Sequence, residues 1–300
     1  MGKTVLIFTL GILCLSTASI LIKFCEDVPA ITIAAWRMIL AAACMLAIAK
    51  VRGVKFSGLG LRTWTGVILG SVFLAAHFAF WITSLKYTSV ASSVVLVTTN
   101  PIFVGLLSWM VFKERHCLEL ILGILLSFAG SAVLAIGDAG TRVLAAGGSK
   151  AVLGDGLALL GAIMASGYLM VGSRMRERMD LWAYTSLVYS GSAVLLALLV
   201  PAMGLPFTGF KTSSWISLAA LAVVPQMIGH TTINWALKHL KASLVAIVIL
   251  GEPVGASILA FFLLGEHIGA VQALGMMMIF AAIVIASRGG AKTGTEIAEA

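Results

Sequence analysis

Long apolar stretches alternate with short polar ones along almost the whole chain. They run near residues 4–23, 30–50, 62–86, 88–112, 117–136, 152–173, 181–203, 213–236, 242–264 and 268–287, ten in all. Each is long enough to cross roughly 30 Å of hydrocarbon as a helix, which takes about twenty residues. The expected fold class is all-α and integral to a membrane, with ten transmembrane helices. The first stretch follows Lys3 as a secretory leader would. No small-x-small cleavage site with a polar start after it is evident, and the internal repeat described next needs this helix.

Residues 85–128 are largely said twice. Under a gap-free shift of 152 positions, Leu85-Lys86 meets Leu237-Lys238, Pro101 meets Pro253 and Leu107 meets Leu259. Glu114 then meets Glu266, Leu122-Gly123 meets Leu274-Gly275 and Phe128-Ala129 meets Phe280-Ala281. A series kept in register is the mark of duplication. The organisation expected is one five-helix repeat over 4–136, a Gly- and Ala-rich linker over 137–151, a second five-helix repeat over 152–288 and a polar, disordered tail over 289–300. Five is odd, so the second copy would enter the membrane upside down. Inverted repeats of this kind can give alternate access to a midplane site.

Composition agrees with the pattern. Hydrophobic residues make up 60% and charged ones 11%, against about 25% charged in soluble domains, and the mean hydropathy is +1.08. A net charge of +8 does not imply a nucleic-acid partner, because the basic residues lie between apolar stretches and form no basic face. With the N-terminus inside, fourteen Lys and Arg fall on inside segments and five (Lys23, Lys86, Arg142, Lys150, Lys211) outside, which predicts that both termini are cytoplasmic. Cys14, Cys25, Cys44 and Cys117 lack metal-ligand spacing and read as small apolar residues, so neither metal nor cofactor is expected.

The few polar groups placed in oil are the candidate machinery. Glu252 is the one acidic residue deep in an apolar stretch, and Arg37 the one basic residue so placed. A midplane charge costs on the order of 3 kcal/mol, so each should face a cavity or a partner. Pro253 removes a backbone donor beside Glu252 and frees the carbonyl of Ile249, and Asn100-Pro101 repeats the device, freeing the carbonyl of Val97. Glu252 has two readings, a group that meets solute or proton, or a neutral hydrogen-bonded carboxylic acid. Arg37 reads first as a structural charge that snorkels or pairs with Glu252. His77 and His230, expected toward the outside and the inside respectively, can gate or relay protons or can bond a neighbouring carbonyl. Gln226, Asn234, Trp81 and Trp235 can hold a polar or aromatic solute, although the tryptophans lie near stretch ends, where an interfacial belt is the simpler reading. Glu114 and Glu266 read as capping groups at stretch ends. The spacings Ala158-Ala162-Ser166 and Gly123-Ser127-Ser131 permit close helix contact, within one chain or in a homodimer.

Other classes lack their signatures. Gly-x-Ser-x-Gly, His-Glu-x-x-His and Cys-x-x-Cys do not occur, the Gly2-Lys3-Thr4 triplet lacks the upstream glycine of a phosphate loop, and no channel filter is visible.

Several motifs together resemble one family. Pro29 with Trp36-Arg37-Met38, Asn100-Pro101 with Glu114, and Gly251-Glu252-Pro253 with Gly265-Glu266 and Gln272-x-x-Gly275 are similar to the signatures of the EamA branch of the drug/metabolite transporter superfamily. The resemblance covers about residues 4–288. It implies ten helices, two EamA repeats, and export of small metabolites or drugs across a bacterial inner (plasma) membrane. The expectation is a multi-pass secondary carrier rather than an enzyme. Its partners would be a small-molecule solute such as an aromatic or other neutral amino acid, the lipid bilayer and protons as coupling ion, with a multidrug or cation exporter as the alternative and a non-transporting membrane scaffold or enzyme after it. Asn100, Pro101, Glu252, Pro253, His77, Trp81, Gln226, His230 and Asn234 are the expected pathway residues, and Glu252 is the proton-coupling candidate.

Overall fold

A computed structural model describes residues 2–88, 93, 96–113, 117–139, 149–264 and 269–298, and no strand occurs among them. The first apolar stretch is α1 (Gly2–Ser16) and α2 (Ala18–Lys23), the second α3 (Ala30–Val51) and the third α4 (Leu61–Ser84). Next come α5 (Asn100–Phe112), α6 (Leu118–Ala139), α7 (Ser149–Arg176) and α8 (Leu181–Ala202). The eighth stretch comprises α9 (Thr212–Leu221), a π-helical segment (Ala222–His230) and α10 (Thr231–Ala236). The ninth is α11 (Ala242–Ile249) with α12 (Gly251–Leu264), and the tenth is α13 (Ala270–Ala298). Among the described residues seven stretches are long and apolar enough to cross a bilayer, and Asn100–Val111, Leu118–Val133 and Ala273–Ala286 are shorter apolar helices.

Boundaries follow local chemistry. Pro29, with φ −60° and ψ 144°, sits at the N-cap of α3, where its missing N–H costs no helical bond. Asp180 caps α8 by accepting the N–H of Trp182 at 2.8 Å. Of the stretch expected at 88–112, the described helix covers Asn100–Phe112. Residues 140–148 of the expected linker, Glu114 and Glu266 lie outside the described residues. The backbone of α13 continues as helix through 289–298, where a disordered tail was expected; Ala291, Lys292 and Glu296 there are good helix formers.

Packing pairs distant parts of the chain. α6 lies along α13, α4 along α7, and α3 along α8, while α1 crosses the π-helical segment and α12. Small residues set the approach. A Cβ on Gly130 would stand 2.9 Å from the Met278 Cβ and 3.0 Å from the Gly275 carbonyl oxygen, and one on Gly123 2.8 Å from the Ala286 Cβ. Ser127, Ser131, Ala158, Ala162 and Ser166 are likewise buried, so both small-residue spacings serve contacts within the chain. In a setting without water, hydroxyls tie helices to one another's carbonyls. Ser192 Oγ donates to the Ser71 carbonyl at 2.9 Å and Ser186 Oγ to that of Met45 at 3.0 Å. The outer face exposes Trp109, Met110, Leu198, Phe262 and Met277. Such a surface is an aggregation hazard in water and suits lipid tails. The protein is a multi-pass membrane protein.

Candidate functional site

Four helical stretches are interrupted where their residues meet one cavity. α1 stops before Thr17, whose hydroxyl donates to the Cys14 carbonyl at 2.7 Å. The turn before α5 is held by Thr99 Oγ1 donating to the Leu96 carbonyl at 2.7 Å. Leu250 separates α11 from α12, its N–H reaching only the Ile247 carbonyl at 3.1 Å. Pro225 lies inside the π-helical segment. A proline has no N–H and its ring clashes with the carbonyl four residues earlier, and the wider turn relieves that clash. The Tyr189 hydroxyl braces this segment, 3.4 Å from the Gln226 carbonyl oxygen and 3.3 Å from the Thr231 hydroxyl.

Pro101 and Pro253 therefore stand where helices begin, not inside continuous ones. Each stands in the first turn of a new helix, after a break at Thr98–Thr99 and at Leu250. An absent N–H is harmless there. Asn100 and Glu252 occupy the opening turns of α5 and α12.

The breaks surround a cavity of about 60 Å³ lined by Arg37, His77, Trp81, Asn100, His230 and Glu252, with Leu15, Ala18, Val97, Thr98, Ala165, Tyr168, Leu169, Ile233 and Ile249. Pockets that hold drug-sized ligands span roughly 300–1,000 Å³, so in this conformation the cavity has room for a few waters.

Arg37 is 1% exposed and neither snorkels nor reaches a surface. Its Nε donates to Gln226 Oε1 at 2.9 Å, and its guanidinium lies over the Phe78 ring, 4.1 Å from the centroid. Glu252 lines the same cavity, and its backbone carbonyl accepts the Ser16 hydroxyl at 3.0 Å where α12 crosses α1. A Cβ on Gly255 would lie 2.2 Å from that hydroxyl oxygen, so glycine is what permits the crossing.

The histidines do not sit at opposite ends of the bundle. Both line the cavity with the Phe78 ring between them, its centroid 5.0 Å from that of His77 and 5.3 Å from that of His230. His77 Nδ1–H donates to the Gly161 carbonyl at 2.9 Å, the packing bond expected of it, whereas His230 Nδ1 is buried without a partner. Trp81 is no interfacial residue: it is 5% exposed, stacks on His77 at 5.9 Å and lines the cavity, because its helix end is covered by α7. Trp235 packs edge-on to Phe8 at 6.4 Å and lies outside the lining. Asn234 Nδ2 donates to the Tyr168 hydroxyl at 2.6 Å and to the His230 carbonyl at 2.8 Å, closing one wall.

Polar capacity is left over around this cavity. Arg37 Nη1, Gln226 Nε2 and Trp81 Nε1 are buried donors without partners, and Asn100 Oδ1 and His230 Nδ1 are unpartnered beside them. Buried polar atoms are normally satisfied, and an orphan costs about 1–3 kcal/mol. Several in one place mark a site that receives something.

The pattern that defines the EamA-like transporter family matches residues 2–136 and again 152–288. The chain belongs to this family. It is a membrane transporter. An uncharacterized transporter of Archaeoglobus fulgidus is 25% identical over 263 residues, 84% of this chain and 86% of that protein. The uncharacterized transporter YyaM of Bacillus subtilis is 25% identical over 74% of this chain and 72% of its own length. Solute carrier family 35 member G1 of Mus musculus is 26% identical over 78% of this chain and 64% of its own. A solved crystal structure, 21% identical, superposes with a TM-score of 0.81 over 98% of this chain and 99% of that one, a likeness of fold.

Some of the EamA site was not foreseen from the sequence. Tyr168 and Phe78 were not singled out from the sequence. Pro225, three residues after the start of the π-helical segment, was the overlooked signal for a distorted backbone next to Gln226 and His230. Arg176, taken with the loop charges, is 3% exposed; its Nε donates to the Asn234 carbonyl at 3.0 Å and its Nη1 to that of Met179.

Proposed function

We propose that this transporter exports a small metabolite, an aromatic or other neutral amino acid, across the bacterial inner membrane by alternating access between two inverted five-helix repeats, with both termini cytoplasmic. The observation that carries the reading is the cavity itself: Arg37, Trp81, Asn100 and His230, each with an unpartnered polar atom, line it where four helical stretches are broken, and Gln226, outside the lining, is bonded to Arg37. Irregular backbone at membrane depth is stable only where it lines a cavity or is buried in protein, and broken helices at the midplane are how carriers bind solute.

The contacts support the repeat. Exchanging each stretch for the one five later turns the α4–α7 packing into that of α1 with the eighth stretch, and α5–α7 into α12–α1; both members of each pair occur. The α3–α8 and α6–α13 pairings map onto themselves. A two-fold relation between halves produces such pairing, and it lets the halves swap conformations about a shared site. Glu252 is the proton-coupling group in this reading. Widening of the cavity as the halves rock admits the solute.

Counterflow in proteoliposomes tests it: vesicles loaded with an unlabelled neutral amino acid should accumulate the labelled one, and protein-free vesicles should not. Glu252, Trp81 and Tyr168 share the cavity lining, and a carboxyl with aromatic rings favours an organic cation as the second reading. Tetraphenylphosphonium accumulating while every amino acid fails would replace the first reading with that one.

A further inference from the structure

A second cavity, of about 260 Å³, opens at one end of the bundle, where α5, α7 and α11 pack on one another. Its floor is buried and includes Ser108 of α5, Leu237 just after α10 and Ala242 at the start of α11. Its rim is exposed and charged. Lys238, His239 and Lys241 come from the turn between α10 and α11, and Arg174 and Glu177 from the end of α7 and just beyond it. The turn is held by the N–H groups of His239 and Leu240, which both donate to the Ala236 carbonyl, at 2.8 and 2.9 Å. Arg174 Nη1 and Glu177 Oε1 form a loose pair at 3.8 Å, with both side chains about half exposed. Three Lys or Arg against one Glu leave the rim with a surplus of two positive charges. No side chain caps the first N–H groups of α11, so the positive end of its dipole adds to the same field.

An excess of Lys and Arg on the cytoplasmic side is general in membrane proteins, but it does not ask them to gather around a cavity. The duplication does not supply them either. Under the shift of 152 positions Lys238 meets Lys86, but His239 meets Tyr87, Lys241 meets Ser89 and Arg174 meets Ile22. The charge therefore belongs to the second copy and not to the shared fold. A water takes up about 30 Å³ of the liquid, so this cavity has room for a polyatomic group. Lys as a point charge and Arg as a planar fork are the side chains that hold phosphate oxygens. Directly after Ser108, Trp109 and Met110 lie exposed on the apolar outer face, so α5 carries the cavity to the edge of the hydrocarbon. On the topology proposed above this end is cytoplasmic, where basic pockets between spanning helices take up anionic headgroups.

We propose that this second cavity binds a phosphate group, that of an anionic phospholipid whose chains run along α5, with Arg174, Lys238 and Lys241 as its cationic partners. Ser108 lies in the first of the two matched EamA segments and the rest of the lining in the second, so a bound headgroup bridges the halves at this end. Free phosphate in the surrounding solution offers the same chemistry, and the test separates the two sources.

The purified full chain in a neutral detergent is titrated with dioctanoyl phosphatidylglycerol, with dioctanoyl phosphatidylcholine, and with inorganic phosphate against chloride at equal ionic strength, each followed by thermal shift. The phosphatidylglycerol should bind about tenfold or more tighter than the net-neutral phosphatidylcholine. Lys238→Gln with Lys241→Gln should weaken it about tenfold or more, since each cation beside an anionic headgroup is worth roughly fivefold. Lys50→Gln with Lys55→Gln removes the same charge at the end of α3 and just beyond it, outside the lining, and should weaken it less than about threefold. All four lysines are exposed, so both double variants should fold. Inorganic phosphate that binds and is lost with Lys238 and Lys241, while the lipid fails, upholds the phosphate site with a free ligand in place of the lipid. The proposal is overturned if neither probe binds, or if phosphatidylcholine matches phosphatidylglycerol within about threefold while inorganic phosphate fails. Equal weakening by the two lysine pairs also overturns it, because surface charge alone would then account for the binding.

Discussion

Replacing Phe78 by Leu should loosen Arg37 at a cost that can be worked out. The guanidinium carbon lies 4.1 Å from the Phe78 centroid, Arg37 is 1% exposed and Phe78 0%. A cation over an aromatic face contributes about 0.5–1 kcal/mol at exposed sites and about 2 kcal/mol when desolvated, so this pair belongs at the upper end. The same ring meets His230 edge-on at 5.3 Å, a contact in the range of about 0.5–1.5 kcal/mol. Phe78→Leu should therefore destabilise by roughly 2–4 kcal/mol once lost packing is added. The ring contact can be isolated with Arg37→Met, an unbranched apolar side chain without the charge. In a double-mutant cycle of Phe78→Leu and Arg37→Met, the coupling energy should be about 1–2 kcal/mol. Unfolding by SDS in mixed micelles, followed by far-UV circular dichroism, supplies the four values. A coupling below about 0.3 kcal/mol, the level at which independent sites add, would mean the ring does not hold the guanidinium. The position of Arg37 in the cavity lining would then need another cause.

Gly130→Leu should destabilise the α6–α13 pair by about 1–3 kcal/mol in the same SDS assay, because the crowding includes a backbone oxygen 3.0 Å away. Gly156→Leu, where a Cβ meets nothing within 4 Å, should fall within about 0.5 kcal/mol of wild type. Glu252→Gln should flatten the dependence of counterflow on pH between about 5 and 8, where carriers coupled through a carboxyl respond; an unchanged profile removes the coupling role. Asp27 lies between two spans, where it accepts the Ser214 hydroxyl and, at 2.8 Å, the Lys211 N–H. These bonds, the Ser214 one foremost, hold its carboxyl below the ordinary 3.8. Its contribution is thus fully present above 3.8 and lost as pH falls through the lower folded-state value, so Asp27→Asn should weaken the protein at neutral pH and narrow its difference from wild type in acid. Burial, with the Asp27 charge adding, pushes the Cys25 thiol up to about 11. A water-soluble maleimide should therefore leave Cys25 unmodified at pH 7 until the protein unfolds.

The sequence by itself determined the class, the number of apolar helices and the internal duplication. Hydrocarbon forbids unpaired backbone groups, so twenty apolar residues in a row have little choice but a helix. It also named Arg37, Glu252, Asn100, His77, His230 and Trp81, because a polar group in oil is conspicuous by its cost. What it could not supply is which of these groups meet. Their convergence depends on helices distant in the chain crossing one another, and on where each helix breaks. Trp81 looked interfacial from its position near a stretch end, and only the packing of α4 against α7 turned it inward. The two histidines seemed to belong to opposite ends until the Phe78 ring was found between them. Arg176 counted as a loop charge until the Asn234 and Met179 carbonyls claimed it. Burial cost is a property of one residue and its neighbours in sequence; a shared cavity is a property of several helices at once, and that was decided by the tertiary fold.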